Sequence, residues 1–208
     1  MTNPQTFWDK WASRYSKQPI KDPKAYQHKL EQTQKLFTPD MNVLEFGCGT
    51  GSTAIIHAAF VNNIKAIDIS SNMISIAKQK ALAASIDNID FEMASLDSLA
   101  SQEQAFDAIL GLSVLHLMED WELALAQVHR LLKPGGIFVS STACIKHMRW
   151  LRFLAPLGQF FGLIPQLSFF SDADLKSSIV AAGFEIDYAW QPQKNAGVFI
   201  IARKQKSP

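Results

Sequence analysis

The stretch EFGCGTG, Glu45 to Gly51, decides the fold of this chain. It ends a short apolar run, Asn42 to Phe46, and precedes a helix-compatible run, Ser52 to Phe60. An acidic residue, three alternating glycines and a helix start are typical of a strand that turns sharply where backbone approaches a ligand. In the dinucleotide fingerprint GxGxxG the third glycine lies three positions after the second, and Ser52 occupies that position here. The loop therefore indicates a ligand site but weakens a nicotinamide interpretation.

Composition limits the class of protein. At 208 residues the chain suits one domain with a full core, and 48% hydrophobic with 19% charged residues is typical of a soluble globular protein. Twenty basic residues against 19 acidic ones give a net charge of +1, so no overall field attracts nucleic acid or an anionic membrane. We expect no nucleic-acid partner and no stable membrane insertion, while peripheral membrane contact stays open.

The cysteines and the first residues bear on location. Cys48 and Cys144 are too few for a disulfide framework, so reduced thiols are the simpler interpretation. The opening segment, MTNPQTFWDKW, lacks the apolar core of a secretory signal. Both observations favour a cytoplasmic protein, and we expect no metal site.

A second strand ends in a carboxylate at an informative interval. The run NIKAIDIS, Asn63 to Ser70, reads as a strand, and its Asp68 lies 21 residues after Gly47. One strand-helix-strand unit would place Asp68 at the carboxyl end of the neighbouring parallel strand, beside the loop. A carboxylate there accepts charge-assisted hydrogen bonds from both ribose hydroxyls of an adenosine. A helix N-cap role for Asp68 is weaker, because Ser70 and Ser71 are better placed to cap the following helix.

The first 40 residues form a predicted helical arm. Phe7, Trp8, Trp11 and Tyr15 recur at helical spacing, which predicts an aromatic face docked on the core. A turn at Pro39 and Asp40 ends this arm and begins the first strand.

FDAILGLSVLHLMEDW, Phe106 to Trp121, predicts a buried strand followed by a loop over the ligand crevice. Ser113 and His116 are the polar groups of that loop. Since imidazole titrates near neutral pH, His116 is the candidate general base. Two alternatives stay open for it, a positioning donor in the pocket and a half-buried structural histidine.

Several motifs resemble the class I S-adenosylmethionine-dependent methyltransferases. The loop, an acidic residue with glycines at 47, 49 and 51, is similar to the first motif of that family. FWDKWASRY resembles the Trp-Asp-x-x-Ala-x-x-Tyr opening of many small-molecule members, where such a segment covers the cofactor pocket. LLKPGGIFV and a closing hairpin, Glu185 to Trp190 and Gly197 to Arg203, are also similar to that fold.

The resemblance implies a three-layer Rossmann-like α/β sandwich with a seven-stranded, mostly parallel sheet and an antiparallel terminal strand. It implies residues 41–204 as the S-adenosylmethionine-binding domain and residues 1–40 as an arm over its pocket. Glu45 would orient the loop or contact the cofactor's methionine amino group. The implied cofactor-binding residues are Tyr15, Glu45, Gly47, Cys48, Gly49, Gly51, Asp68, Ile69, Met73, Ser95, Leu96, Leu112 and Ser113.

The chain departs from the family pattern after its third strand, Ile89 to Met93. Family members often carry Gly-Asp-Ala there, with the Asp accepting from the adenine amino group, and Ser95 takes that position here. A hydroxyl accepts the same bond without charge assistance, and the Leu96 backbone could contact a ring nitrogen. Asp97 is an alternative acceptor or a solvated turn residue.

The segment Ile145 to Phe170 interrupts the alternation of strands and helices with large apolar residues. Pro156 and Pro165 and two arginines disfavour a membrane span, whereas interfacial attachment stays open. Our interpretation is a cap over the acceptor pocket lined by Trp150, Phe153, Phe160 and Phe161, which favours an apolar or aromatic acceptor. The alternative is an insert buried on the core or on a second subunit.

We therefore predict methyl transfer from S-adenosylmethionine to a small acceptor by in-line displacement, in a monomer or homodimer. An NAD-type oxidoreductase shares the loop and Asp68, and a non-catalytic S-adenosylmethionine-binding partner protein shares every motif. The identity of the acceptor and of its methylated atom stays open.

Overall fold

The computed structural model describes residues 3–99, 101–193 and 196–206. The strands of its single sheet are β1 (Asn42–Phe46), β2 (Asn63–Asp68), β3 (Ile89–Met93), β4 (Phe106–Leu112), β5 (Leu132–Thr142), β6 (Phe184–Trp190) and β7 (Val198–Lys204). The helices of the described residues are α1 (Pro4–Tyr15), α2 (Pro23–Gln34), α3 (Ser52–His57), α4 (Ser71–Ala83), α5 (Trp121–Leu131), α6 (Arg149–Phe160) and α7 (Asp172–Ala181). Short 3₁₀ turns occupy Ala58–Phe60, Leu96–Leu99 and Leu115–Leu117.

The sheet has seven strands in the order β3-β2-β1-β4-β5-β7-β6. The first five are mutually parallel, and β7 pairs antiparallel with both β5 and β6. The strand order reverses at β1, where Glu45 lies opposite Ala66 of β2 on one side and Leu110 of β4 on the other. Such a switch point opens a crevice at the carboxyl ends of the strands. The predicted Rossmann-like sheet with an antiparallel terminal strand is confirmed.

Helices cover both faces of the sheet because the central strands are apolar on both sides. Val43 and Leu44 are neighbours in β1, both fully buried, and they belong to separate clusters. The cluster of Leu44 includes residues of α5 and α7, whereas that of Val43 includes residues of α3 and α4. The result is three layers.

The Lys-Pro-Gly-Gly segment, Lys133 to Gly136, follows the end of α5 at Leu131 and is included in β5. Leu132 pairs with Phe106 of β4, and regular pairing resumes with Ile137 opposite Ala108. Gly135 adopts φ +78, which favours glycine in this irregular segment. Residues 133–136 thus bulge out between two paired positions of the strand.

Lys204 is the last residue of β7. Its Nζ donates to the carbonyl oxygens of His129 and Leu132, at 2.7 and 2.8 Å, where α5 ends. A cation at this position satisfies carbonyls that lack partners in the helix.

The aromatic residues predicted to line an acceptor cap in segment 145–170 lie away from the cleft described below. Trp150, Phe153, Phe160 and Phe161 are between 63% and 81% exposed, and none of them lines the cleft described below. They point outward because α6 faces the protein with small residues, of which Ala155 is 2% exposed. Among the described residues, no helix combines the length and apolar character needed to cross a bilayer.

Candidate active site

A cleft of about 820 Å³, including its open mouth, lies at the carboxyl ends of β1, β2 and β4. The cleft is lined by Pro4, Trp8, Tyr15, Phe46, Gly47, Gly49, Ile67, Asp68, Ile69, Met73, Ala94, Ser95, Leu96, Leu112, Ser113, Val114, Leu117 and Met118.

The glycine loop needs glycine for two reasons. Gly47 and Gly51 have φ of +62 and +72, a conformation that other residues rarely adopt. A Cβ at Gly47 would lie 2.4 Å from Cγ2 of Val114, and one at Gly51 would lie 2.8 Å from Phe91 and Ala77. At both positions the loop backbone packs so closely against neighbouring side chains that a Cβ does not fit. Gly47 lines the cleft, whereas Gly51 begins α3 outside it.

Asp68 ties the loop to β2. Its Oδ2 accepts from the Gly49 N–H and its Oδ1 from the Ser70 N–H, each at 2.9 Å. Burial raises the pKa of this carboxyl, and the two backbone donors oppose that rise. Each carboxylate oxygen can accept a further bond. Asp68 therefore lines the cleft with acceptor capacity to spare, at the end of the strand where it was predicted.

Glu45 lies beneath the loop and is 3% exposed. Burial and then the nearby Asp68 raise the pKa of its carboxyl to about 8. Its Oε2 is buried and has no hydrogen-bond partner among the described residues. A buried acceptor without a partner costs free energy, so this oxygen is available to a donor that enters from a ligand. Glu45 itself is not among the lining residues.

The N-terminal arm contributes one wall of the cleft. Tyr15 lies over the loop, since a Cβ at Gly49 would be 3.7 Å from its ring. Its side chain is 44% exposed, yet desolvation followed by the charge of Asp68 raises the pKa of its hydroxyl. Trp8 packs edge-on against Tyr15 with ring centroids 6.1 Å apart. The aromatic face of α1 is thus turned toward the cleft.

Asp9 fixes this arm to the rest of the domain. Its Oδ1 accepts from Ser70 Oγ at 2.6 Å and from the Asn72 N–H at 3.1 Å, at the start of α4. The Asn72 side chain in turn donates to the Asp9 carbonyl at 3.0 Å. The hydrogen bond from Ser70 leads the causes that lower the pKa of Asp9. Asp9 thus supplies negative charge to a helix N-terminus from a separate helix.

Ser95 and Leu96 line the cleft after β3, as do Ile69 and Met73 after β2. Asp97 does not line it, and its Oδ1 accepts from the Gln127 side chain instead. The alternative in which Asp97 replaces the missing acceptor is therefore not supported. Ser95 is the polar side chain at this end of the cleft.

His116 lies in the loop after β4, next to the cleft but outside its lining residues. Its Nδ1 pairs with Thr142 Oγ1 at 3.1 Å, at the end of β5. Burial lowers the pKa of the imidazole to about 4, so the ring is neutral near pH 7. Ser113, with φ +59, does line the cleft beside Leu112.

The remaining predicted residue, Cys48, is buried, and burial raises the pKa of its thiol well above the ordinary value. It lies outside the lining, although its N–H donates to the Ile67 carbonyl at 3.0 Å and so joins the loop to β2. The sequence interpretation missed the apolar lining. These residues flank the predicted ones along the chain and comprise Pro4, Trp8, Phe46, Ile67, Ala94, Val114, Leu117 and Met118.

Known proteins share this sequence pattern. A family model described as a methyltransferase domain matches residues 37–175. A demethylmenaquinone methyltransferase of Leptospira interrogans is 28% identical over 146 residues, which cover 68% of this chain and 58% of that protein. A ubiquinone biosynthesis O-methyltransferase of Chelativorans sp. (strain BNC1) is 29% identical over 102 residues, 49% of this chain and 40% of that protein. The chain thus spans 58% and 40% of the length of these curated relatives.

Solved structures share the fold. The YcgJ protein from Bacillus subtilis superposes with a TM-score of 0.71 at 16% identity, covering 87% of this chain and 100% of that one. The family match spans the glycine loop, Asp68 and the strands that form the cleft. The chain therefore belongs to the methyltransferase-domain family of the class I S-adenosylmethionine-dependent methyltransferases.

Proposed function

We propose that this chain transfers a methyl group from S-adenosylmethionine to a small apolar or aromatic acceptor. The observation that carries the proposal is the pairing of the glycine loop with Asp68 across one cleft at the sheet's switch point. Family membership supports the same cofactor. The NAD-type oxidoreductase and the non-catalytic partner protein find no support in the relatives described above.

The residues of the cleft suit the parts of this cofactor. Asp68 would accept from the ribose hydroxyls with the acceptor capacity left beside its two backbone donors. Ser95 and Leu96 would meet the adenine end. The unpartnered Oε2 of Glu45 would accept from the methionine amino group, whose positive charge favours the ionised carboxylate.

The arm would complete the site. Trp8 and Tyr15 would cover the bound cofactor and keep water from the reacting centres. The cofactor supplies an electrophilic methyl group on a sulfonium. The protein would hold an acceptor in line with that methyl, and such alignment lowers a barrier without a covalent enzyme intermediate. The S–CH₃ bond breaks as the acceptor–CH₃ bond forms, and a protonated acceptor loses its proton to a base or to water.

An apolar acceptor is favoured by the wall that follows β4. Val114, Leu117 and Met118 line the cleft there. The two curated relatives are named for quinone biosynthesis, so a phenolic or quinol ring is the acceptor class we propose.

His116 is proposed as the base for a protonated acceptor. Its imidazole is neutral near pH 7 and so has a lone pair for a proton, although burial, which lowers its pKa to about 4, makes it a weaker base than an ordinary histidine. Replacement by Ala would lower kcat by about 10²-fold or more if His116 takes the proton. His116→Gln keeps a hydrogen-bonding side chain beside Thr142 and separates positioning from proton transfer. Unchanged turnover in His116→Ala would remove this residue from the mechanism.

The proposed reaction is tested with cofactor labelled in the methyl group. The purified chain is incubated with a demethylated naphthoquinol, an alkylated catechol and a fatty acid, and label is counted in the organic extract. We expect label in a phenolic or quinol product, with one S-adenosylhomocysteine formed per methyl transferred. Cofactor binding without transfer to any of these acceptors would contradict the proposal.

A further inference from the structure

Helix α6 presents an unpartnered apolar face to solvent. Trp150, Phe153, Leu154, Leu157 and Phe161 recur at helical spacing and are 56% to 81% exposed. We call these five residues the α6 face. Phe160 and Leu163, at 68% and 66% exposure, extend the patch beside it. A cluster of large apolar side chains exposed on a protein surface marks an interaction site.

The helix is held in this orientation by packing on its other side. Ala155 is 2% exposed, and a Cβ at Gly158 would lie 2.9 Å from the side chain of Ile164. The Leu163 N–H donates to the Gly158 carbonyl at 2.8 Å, so the chain turns back directly after the helix. Small residues thus face the protein while the large apolar ones face outward.

Charge indicates what covers this face. Residues 145–170 contain Lys146, Arg149 and Arg152 but no Asp or Glu. Lys146 is paired with Asp174 at 2.7 Å, whereas Arg152 is exposed and enters no ion pair among the described residues. A second copy docked by two-fold symmetry would present the same segment without acidic residues, and so no counter-charge from it for Arg152, since the same patch faces itself across such an interface. An anionic surface complements the patch instead.

The face is linked to the cleft through the segment that follows α6. The Ser168 N–H donates to the His116 carbonyl at 2.8 Å, and Ser168 Oγ donates to the Met118 carbonyl at 2.6 Å. Met118 and its neighbour Leu117 line the cleft. A partner bound at α6 therefore lies against an element that is bonded to the cleft wall.

We propose that the α6 face docks the protein on an anionic phospholipid bilayer, with α6 lying flat in the interface. An amphipathic helix with Trp, Phe and Leu on one side and an exposed arginine, here Arg152, binds in this way through buried apolar area and attraction to anionic lipid. The proposal does not depend on the proposed reaction, because docking needs neither cofactor nor acceptor.

The test is cosedimentation of the full chain with phospholipid vesicles. We expect binding to vesicles that contain phosphatidylglycerol, much weaker binding to phosphatidylcholine alone, and release by salt. Phe153→Ser should weaken the partition coefficient about tenfold, and Arg152→Gln about fivefold. Both side chains are exposed, and an unchanged melting temperature would show that each variant is folded.

Leu82→Ser is the matched control. Leu82 lies in α4 and is 81% exposed, the same fraction as Phe153, so its loss should leave vesicle binding unchanged. Absence of binding to anionic vesicles would overturn the proposal, and so would equal losses in Phe153→Ser and Leu82→Ser. A dimer in solution that dissociates in Phe153→Ser, without vesicle binding in the wild-type protein, would assign the face to a second copy instead.

Discussion

Asp68 has two roles that a single substitution can reveal. Its carboxylate holds the loop through Gly49 and the start of α4 through Ser70, and the same oxygens face the cleft. In Asp68→Asn one of these backbone donors would face an amide NH₂. We expect S-adenosylhomocysteine to bind at least about tenfold more weakly by titration calorimetry. Asp97→Asn, outside the cleft, is the control, and equal affinities in Asp68→Asn and wild type would refute the assignment.

Glu45 gives the protein without ligand a distinctive pH dependence. Its folded pKa of about 8 exceeds the ordinary value of 4.5, so the folded state retains a proton that the unfolded state has lost. Stability must then fall as pH rises between these values. His57 and His116 act oppositely, because burial lowers their folded pKa values to about 4 whereas an unfolded histidine is half protonated near pH 6.5, so both add stability as pH rises from 6.5.

Comparison with a variant that keeps both histidines isolates Glu45 between pH 6.5 and 8. We expect the free energy of unfolding of the wild-type protein to fall by up to about 2 kcal/mol relative to that of Glu45→Gln across this window. Glu185→Gln, at an exposed carboxyl of β6, should keep the wild-type pH dependence. Urea unfolding at several pH values measures the effect. Equal pH dependences in the wild-type protein and Glu45→Gln would contradict the burial of an ionisable Glu45.

The polar residues of the cleft were more predictable from the sequence than the apolar ones. Asp68 was predictable because its type and its distance from Gly47 both carry information. Val114 and Met118 were not, because an apolar residue in a loop has the same pattern whether it lines a cleft or fills the core. The φ of +59 at Ser113 sets the path of that loop and leaves no mark on the sequence.

Among the elements, α1 is attached to the domain by the hydrogen bonds of Asp9 and by its buried residues Phe7 and Ala12. Asp9→Ala removes its bonds to Ser70 and to the Asn72 N–H, so α1 should detach from α4 more often. We expect faster hydrogen exchange in residues 4–15 and weaker binding of S-adenosylhomocysteine, with a small change in melting temperature. Lys10→Ala, an exposed neighbour on the same helix, should match wild type. Unchanged hydrogen exchange of residues 4–15 in Asp9→Ala would show that Asp9 does not hold the arm on the domain.

Strand boundaries were predictable where apolar runs end at turn residues. β1, β3 and β4 begin and end at the predicted residues. Proline and glycine at Lys133 to Gly136 disfavour a regular strand, and regular pairing of β5 with β4 resumes only at Ile137. The aromatic residues of 145–170 were interpreted as lining an acceptor pocket, whereas they are exposed and lie outside the cleft. Nothing in the pattern itself distinguishes a core from an external surface.

For the whole molecule, the topology was expected from the resemblance to the class I methyltransferases, and the alternation of strands and helices agrees with it. Parallel strands joined by right-handed crossovers leave few arrangements, and the antiparallel pairing of β7 follows from its short connection to β6. The reversal of strand order at β1 then fixes where the cleft lies. The positions of the arm and of α6 do not follow from the order of the strands. They depend on side-chain contacts such as those of Asp9 and Ala155.

The cleft between the glycine loop and Asp68 is proposed to bind S-adenosylmethionine. Thermal unfolding of the wild-type chain with S-adenosylhomocysteine and, separately, with NAD is the decisive measurement of this binding. A ligand that binds only the folded state raises the melting temperature with its concentration. We expect the melting temperature to rise with S-adenosylhomocysteine and to stay unchanged with NAD. A melting temperature that rises with NAD but not with S-adenosylhomocysteine would rule out the proposed cofactor.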